Sequence, residues 1–164
     1  MKKVYFTWSQ IESACLDITK QMVSDDYRPD YIVGIGRGGL VPALLLSHYM
    51  GIPMKSLDVS LRDNGDVTSN CGMAEDAYYG KKILVVDDIN DQGATIAWIK
   101  NDWESLCCPG DVNWAFAWSD KVRFATLHNN LSSKETVDYS FWEINKAEED
   151  CWIDYPWEEF WKNA

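Results

Sequence analysis

The middle of the sequence carries a run of residues suited to holding an anion. Residues 83–86 are all apolar, two adjacent acids follow at Asp87 and Asp88, and residues 91–95 read D-Q-G-A-T. A tight turn at the start of a helix points several backbone N–H groups at one place, where a phosphate is stabilised. Gly93 permits a backbone conformation that a side chain would hinder, and Thr95 adds a hydroxyl donor.

The acids in this run call for a separate explanation, because carboxylates repel a bare phosphate. Asp87 and Asp88 suit the hydroxyls of a ribose, or a Mg²⁺ ion that carries phosphate. Asp91 lies in the turn itself and would face the reacting group. The segment therefore predicts a site for a phosphorylated, hydroxyl-bearing ligand.

A second glycine-rich turn lies nearer the start of the chain. Residues 34–39 read G-I-G-R-G-G, which satisfies G-x-G-x-x-G, and Asp58 lies near the end of the next predicted strand. Taken alone, this pattern indicates a dinucleotide-binding turn. That interpretation leaves the acidic run at Asp87 and Asp88 unexplained.

The hydrophobic pattern predicts alternating strands and helices that would position both turns. The predicted helices span residues 9–23, 40–50 and 95–105, with Ser9 and Glu12 forming a capping box and Gly51 ending the second helix. The predicted strands span residues 30–35, 54–59, 82–87 and 112–118, and residues 62–80 are predicted to form a mobile loop. This alternation indicates an α/β fold with a parallel sheet and helices on both faces, whose ligands lie beyond the carboxyl ends of the strands.

Composition narrows the class of protein. The 164 residues, 46% of them hydrophobic, fit one domain, and no apolar run is long enough for a transmembrane helix. The net charge of −11 disfavours binding to nucleic acid. The beginning of the chain does not resemble a secretion signal, and five cysteines without C-x-x-C spacing indicate reduced thiols, so we expect a cytoplasmic protein that contacts neither membrane nor nucleic acid.

Residues 83–95 resemble the PRPP-binding motif of type I phosphoribosyltransferases, in which four apolar residues and two acids precede a D-x-G-x-T loop; PRPP is 5-phosphoribosyl-1-pyrophosphate. The family loop usually reads D-T-G, so Gln92 stands here in place of a threonine. The resemblance implies a type I phosphoribosyltransferase fold that uses Mg²⁺, with Asp87 and Asp88 near the metal and Asp91 as the catalytic base. It further implies that the 5-phosphate and ribose contact Asp87, Asp88, Asp91, Gln92, Gly93, Ala94 and Thr95.

Two other segments are similar to the xanthine-guanine group within that family. Residues 36–42 resemble its pyrophosphate loop, often S-R-G-G-L-V-P, which implies pyrophosphate binding by Gly36, Arg37 and Gly38. Residues 152–158 resemble its W-I-x-x-P-W-[DE] segment, which implies that Trp152 stacks on a purine while the backbone of Ile153 reads the edge of the base.

The base-reading lysine of that group has no direct counterpart here. Asn130 stands about where the lysine is expected, and its amide still donates hydrogen bonds without the charge. Lys121 and Lys134 are candidate substitutes. Arg62, in the predicted loop, would close over the pyrophosphate, or would be a solvated loop residue.

The resemblance implies a purine phosphoribosyltransferase with PRPP and guanine, xanthine or hypoxanthine as substrates, forming a dimer or tetramer. The PRPP-binding core would span about residues 28–130, and a base-recognition segment about residues 131–164. Alternatives are a non-catalytic PRPP- or nucleotide-binding regulator with the same fold, which the departures at Gln92 and Asn130 permit, and a pyrimidine phosphoribosyltransferase.

Overall fold

The computed structural model describes residues 1–59 and 70–163, and two parallel sheets organise them. The strands are β1 (Lys2–Tyr5), β2 (Tyr31–Gly36), β3 (Met54–Asp58), β4 (Ile83–Asn90), β5 (Val122–Asn130), β6 (Tyr139–Ile144) and β7 (Cys151–Asp154). The larger sheet has the order β3-β2-β4-β5-β6, and β1 pairs with β7 in the smaller one. Every pairing in both sheets is parallel.

Helices cover both faces of the larger sheet. They are α1 (Trp8–Ser24), α2 (Leu40–Met50), α3 (Cys71–Tyr78), α4 (Ala94–Leu106) and α5 (Asn113–Phe116), with a π-helical turn at Ala117–Lys121 and a 3₁₀ turn at Phe160–Asn163. Alternate strand residues point to opposite faces, so Leu84 packs in the core beneath α1 and α2, whereas Val85 packs beneath α3, α4 and α5. The predicted parallel sheet with helices on both faces is therefore confirmed.

Helices α1 and α2 closely match their predicted bounds, but α1 begins at a different capping residue from the one predicted. Helix α2 has the predicted bounds and ends at Gly51, whose φ of 66° is left-handed. Helix α1 begins at Trp8 because Thr7 and Gln10 form its capping box, so the predicted box of Ser9 and Glu12 is wrong. Both pairs fit the same pattern, and the earlier one caps the helix.

The predicted strand at residues 112–118 is wrong. The stretch is helical, because Trp114 and Ala117, three positions apart, bury one helical face, while the Asp111 carboxylate accepts a hydrogen bond from the backbone N–H of Asn113 at 2.8 Å. The strand of this region is β5, which starts at Val122. The predicted loop at 62–80 is also too long, since α3 occupies its second half; residues 60–69, and with them Arg62, lie outside the described residues.

Within residues 1–59 and 70–163, no helix combines the length and the apolar character that a bilayer crossing requires.

Candidate active site

A cavity of about 1080 Å³ opens at the carboxyl ends of the strands of the larger sheet. The chain passes from β2 to β3 on one side and then returns to place β4 on the other side of β2. Such a reversal leaves a crevice between the two strands, where open parallel sheets bind ligands. Both glycine-rich turns found in the sequence reach this crevice, one after β2 and one after β4.

The turn after β4 forms an anion cradle. Gly93 has a left-handed backbone, with φ 89° and ψ 2°, and α4 begins at the next residue. Since Gly93 offers no side chain as a cap, the first N–H groups of α4 are left for a ligand in the cavity. The cavity lining includes every residue that the sequence assigned to this cradle: Asp87, Asp88, Asp91, Gln92, Gly93, Ala94 and Thr95.

The two acids near the end of β4 lie side by side in the cavity wall. The backbone N–H of Asp88 donates to Asp87 Oδ1 at 2.8 Å, and the N–H of Ile89 donates to Asp88 Oδ1 at 2.7 Å. Burial raises the pKa of the Asp87 carboxyl well above its usual range, and the neighbouring charge of Asp88 raises it further. Burial also raises the pKa of Asp88. The pair is therefore poised to gain from a bound cation.

The donor set fits a hard divalent cation that shares its ligands with a substrate. Asp87 and Asp88 supply carboxylate oxygens, and Mg²⁺ is usually bound by one or two carboxylates together with substrate phosphates. Across the described residues, no group of three or more His, Cys, Asp or Glu side chains is arranged to hold a metal alone. Mg²⁺ at this pair would thus depend on phosphate oxygens to complete its coordination.

The turn after β2 packs directly against the acidic pair. Gly36 and Arg37 line the cavity, whereas Gly38 lies against Asp88: a β-carbon on Gly38 would be 2.5 Å from Asp88 Cγ and nearer still to a carboxylate oxygen. A β-carbon on Gly39 would be 2.9 Å from Asp87 Cα. Both positions therefore need glycine for this close approach between β2 and β4.

The third wall of the cavity comes from the region of β7. Trp152 is 43% exposed and lines the cavity together with Ile153, which is buried. The hydroxyl of Tyr155 donates to the backbone carbonyl of Asp88 at 3.0 Å and lies 2.8 Å from His128 Nδ1. Tyr155 thus connects the tryptophan-bearing segment to the acidic end of β4.

Asn130 is not among the described residues that line the cavity. It is buried at the end of β5, and its amide hydrogen-bonds to neighbouring protein groups. The two candidate substitutes do not line the cavity either: Lys121 pairs with Asp120 at 3.6 Å before β5 begins, and Lys134 is exposed. A lysine that does line the cavity is Lys146, whose Nζ lies 3.0 Å from Asp91 Oδ2.

Sequence reasoning missed two charged residues of the cavity. Lys146 is the single base in the run N-K-A-E-E-D, six positions before Trp152, and this isolation within acidic sequence was the available signal. Glu158 also lines the cavity, and burial, followed by the charge of Asp88, raises its pKa. The lining thus combines the cations Arg37 and Lys146 with an excess of carboxylates, which favours a ligand that brings its own cation.

Comparison with known proteins gives a consistent result. Residues 3–161 match the family model described as phosphoribosyl transferase domain. The chain is 27% identical to a xanthine-guanine phosphoribosyltransferase of Idiomarina loihiensis, with 96% of this chain and 88% of the relative covered. It is 25% identical to a hypoxanthine-guanine phosphoribosyltransferase of Schizosaccharomyces pombe, over 95% of this chain and 89% of the relative. Among solved structures, it is similar to a purine phosphoribosyltransferase from Pyrococcus horikoshii Ot3, with a TM-score of 0.71, 29% identity, and coverage of 98% and 96%.

Proposed function

Because this chain belongs to the phosphoribosyl transferase domain family, we propose that it transfers the phosphoribosyl group of PRPP to a purine base. The base is guanine, xanthine or hypoxanthine, as in the names of the relatives, and the products are a nucleoside 5-monophosphate and pyrophosphate. This is a glycosyl transfer of purine salvage.

One observation carries the proposal: the cradle at residues 91–95 and the half-exposed ring of Trp152 open on one cavity. The cradle supplies backbone N–H groups for a phosphate, and the indole supplies a flat apolar surface for a base. A donor sugar and an acceptor base would meet between them, at the carboxylates of β4.

PRPP has three parts, and three parts of the cavity suit them. Its 5-phosphate lies in the cradle of residues 91–95, its ribose hydroxyls face Asp87 and Asp88, and its pyrophosphate lies along the turn of Gly36 to Gly38 with Arg37 beside it. Asp87 and Asp88 would hold Mg²⁺, which would supply positive charge for the departing pyrophosphate. Arg62 stays a candidate for covering the pyrophosphate.

The chain positions the acceptor and receives its proton. Trp152 stacks on the purine, and the backbone beside Ile153 contacts its edge. A ring nitrogen of the base then bonds to C1 of the ribose as the bond from C1 to the pyrophosphate oxygen breaks. Asp91 accepts the proton that the ring nitrogen loses, which makes it the general base. Closing this cavity over the sugar would also keep water from the reacting carbon.

The test is pyrophosphate release from PRPP with Mg²⁺, measured separately with guanine, xanthine, hypoxanthine, adenine, uracil and orotate. We expect release with the oxopurines and little with the pyrimidines. Release with uracil or orotate alone would replace the proposal with a pyrimidine enzyme. If no base caused pyrophosphate release while calorimetry detected binding of PRPP or a nucleotide, the protein would be a non-catalytic regulator instead.

A charge-neutral variant tests the proton acceptor. Asp91→Asn should lower kcat/KM at least about 100-fold, in the range that general-base catalysis contributes. Asp120→Asn is the matched control, since Asp120 also forms ion pairs at the surface but precedes β5 and does not line the cavity. Full activity in Asp91→Asn would disprove the assignment of Asp91 while leaving the transfer reaction in place.

Two further expectations complete the proposal. The protein works in the cytoplasm as a dimer or tetramer, and light scattering on the purified protein measures its mass directly. PRPP and a purine base are its expected partners, and the net charge of −11 disfavours nucleic acid.

A further inference from the structure

The end of helix α4 carries two adjacent thiols that the proposed reaction does not use. Cys107 caps the helix and Cys108 follows it, and neither is among the described residues that line the cavity. Helix α4 begins at the phosphate cradle and runs for 13 residues, which is about 20 Å of helix. The pair therefore lies at the opposite end of α4 from the active site.

The fold brings both sulfur atoms to the same side of the chain. Successive side chains of an extended segment point in opposite directions, but Cys108 has a left-handed φ of 46°, and the two sulfurs lie 3.9 Å apart. The indole N–H of Trp114 donates to the backbone carbonyl of Cys107 at 2.9 Å. The carbonyl of Cys108 accepts from the N–H of Asp111 at 3.2 Å. Hydrogen bonds at both residues thus hold the turn that presents the pair.

The separation of the sulfurs fits a bridging ion better than a disulfide. Disulfides usually join residues whose Cα atoms are at least about 4.4 Å apart, whereas adjacent residues are about 3.8 Å apart. Two zinc–sulfur bonds of about 2.3 Å at the tetrahedral angle span about 3.8 Å between the sulfurs. The observed distance of 3.9 Å is close to that span, and thiolates are ligands that zinc and similar soft ions prefer.

The charges around the pair also favour a cation. The last turn of α4 contains no basic residue, so no lysine or arginine of that turn offsets the negative end of the helix dipole. Burial raises the pKa of the Cys107 thiol, and the neighbouring Cys108 thiol and the charge of Glu75 raise it further. A metal ion must therefore displace a proton from Cys107. Because Cys108 is exposed, an ion can reach the pair from solvent.

We propose that Cys107 and Cys108 chelate one thiophilic divalent cation of the zinc class, which replaces one proton on each thiol. Across residues 1–59 and 70–163, no group of three or more His, Cys, Asp or Glu side chains is arranged to hold a metal. Water would therefore occupy the remaining tetrahedral positions, and the ion would exchange with solvent. The site is distinct from the acidic pair Asp87 and Asp88, whose oxygens suit a hard ion.

Titration of the reduced protein with Cd²⁺ tests the site, with Mg²⁺ present in excess to compete at the carboxylates. The charge-transfer absorption of cadmium bound to thiolate reports stoichiometry and affinity, and calorimetry repeats the measurement with Zn²⁺. We expect one ion per chain, bound at least about 100-fold more weakly by Cys108→Ser, which should fold because Cys108 is exposed. Cys71→Ser is the matched control: it removes another exposed thiol, at the start of α3, and should leave the affinity unchanged. Equal affinity in wild type and Cys108→Ser would overturn the proposal.

A second measurement separates the folded site from two thiols that are merely adjacent in sequence. In denaturing urea both thiols remain but the turn is lost, so Cd²⁺ should bind at least about tenfold more weakly. Equal affinity in urea would overturn the role of the fold. Affinity should also fall as the pH is lowered, since protons compete for the sulfurs, and a pH-independent affinity would contradict thiolate binding.

The inference and the proposed function can fail separately. Because the pair does not line the cavity, Cys108→Ser should keep the pyrophosphate release of wild type. A protein that released no pyrophosphate with any base but bound one Cd²⁺ through Cys107 and Cys108 would overturn the proposed function and support this site. An active enzyme whose Cd²⁺ binding ignored Cys108→Ser would do the reverse.

Discussion

Because the turns after β2 and β4 approach closely, we expect glycine-to-alanine substitutions there to destabilise the protein to different degrees. Gly38→Ala would place a β-carbon 2.5 Å from Asp88 Cγ, where ordinary contacts begin at about 3.4 Å. The carboxylate must therefore move by more than about 0.9 Å, because one of its oxygens lies nearer still. Overpacking of this kind costs about 1–3 kcal/mol. For a chain of this length, each kcal/mol lowers the melting temperature by roughly 2–4 °C. A flexible side chain can move aside, so we expect Gly38→Ala to fold and melt roughly 2–12 °C lower.

The displaced group is the one proposed to contact Mg²⁺ and ribose. Gly38→Ala should therefore raise KM for PRPP at least about tenfold, well beyond the effect on KM for the base. Gly39→Ala meets backbone instead, with its β-carbon 2.9 Å from Asp87 Cα, and should fail to accumulate as folded protein.

Gly72→Ala is the control, because nothing lies within 4 Å of its added carbon, and alanine should stabilise α3 by up to about 1 kcal/mol. The assays are thermal unfolding followed by circular dichroism and PRPP titration of the initial rate. If Gly38→Ala matched wild type in both melting and KM for PRPP, the argument that glycine is required against Asp88 would be refuted.

Three further predictions concern the buried polar groups around the acidic pair. Burial, followed by the charge of Lys146, lowers the pKa of His128 to about 4, so stability should fall by about 3 kcal/mol as the pH drops from about 6.5 to about 4. Urea unfolding across that range should show this loss, and a pH-independent midpoint would contradict it. Asp87 has a raised pKa, so its stabilising contribution is present at low pH and is lost as the pH rises through that value; Asp87→Asn should therefore melt higher than wild type at pH 7 while losing activity. A lower melting point for that variant would show that the ionised Asp87 carboxylate does not destabilise the folded protein. Tyr155→Phe and Tyr27→Phe each remove a buried tyrosine's hydroxyl that has two hydrogen-bond partners, and each should cost about 1–3 kcal/mol. Only Tyr155→Phe should alter KM values. Identical kinetics in the two variants would argue against the connection to β4.

The sequence predicted the PRPP end of the cavity better than the base end, for a physical reason. Around β4, an apolar run, two acids and a glycine turn are contiguous, so strand, turn and helix follow from local preference. The base end is assembled from β5, β6 and β7, which are distant in the sequence. Neither the hydrogen bonds of Asn130 nor the reach of Lys146 is a local property of the chain.

The wrong strand at residues 112–118 shows the same limit at the level of secondary structure. Six of its seven residues are apolar or aromatic, which satisfies a strand and a buried helical turn equally well. The choice was made by packing: Trp114 stacks near Trp118 with ring centroids 5.3 Å apart, which brings residues i and i+4 onto one face. The apolar composition of a short run does not predict that contact between two tryptophan rings.

The pairing of β1 with β7 has a consequence for the order in which the site is built. Residues 2–5 are synthesised almost 150 positions before residues 151–154, their sheet partner in the described structure. The five strands of the larger sheet are complete once Ile144 has been synthesised, so the PRPP end of the cavity can form first. The strand that carries Trp152 docks only afterwards, through contacts of high sequence separation that form slowly. A nascent chain would thus be able to hold the sugar donor before it can hold an acceptor, and the two-stranded sheet sets the moment at which it becomes a complete enzyme.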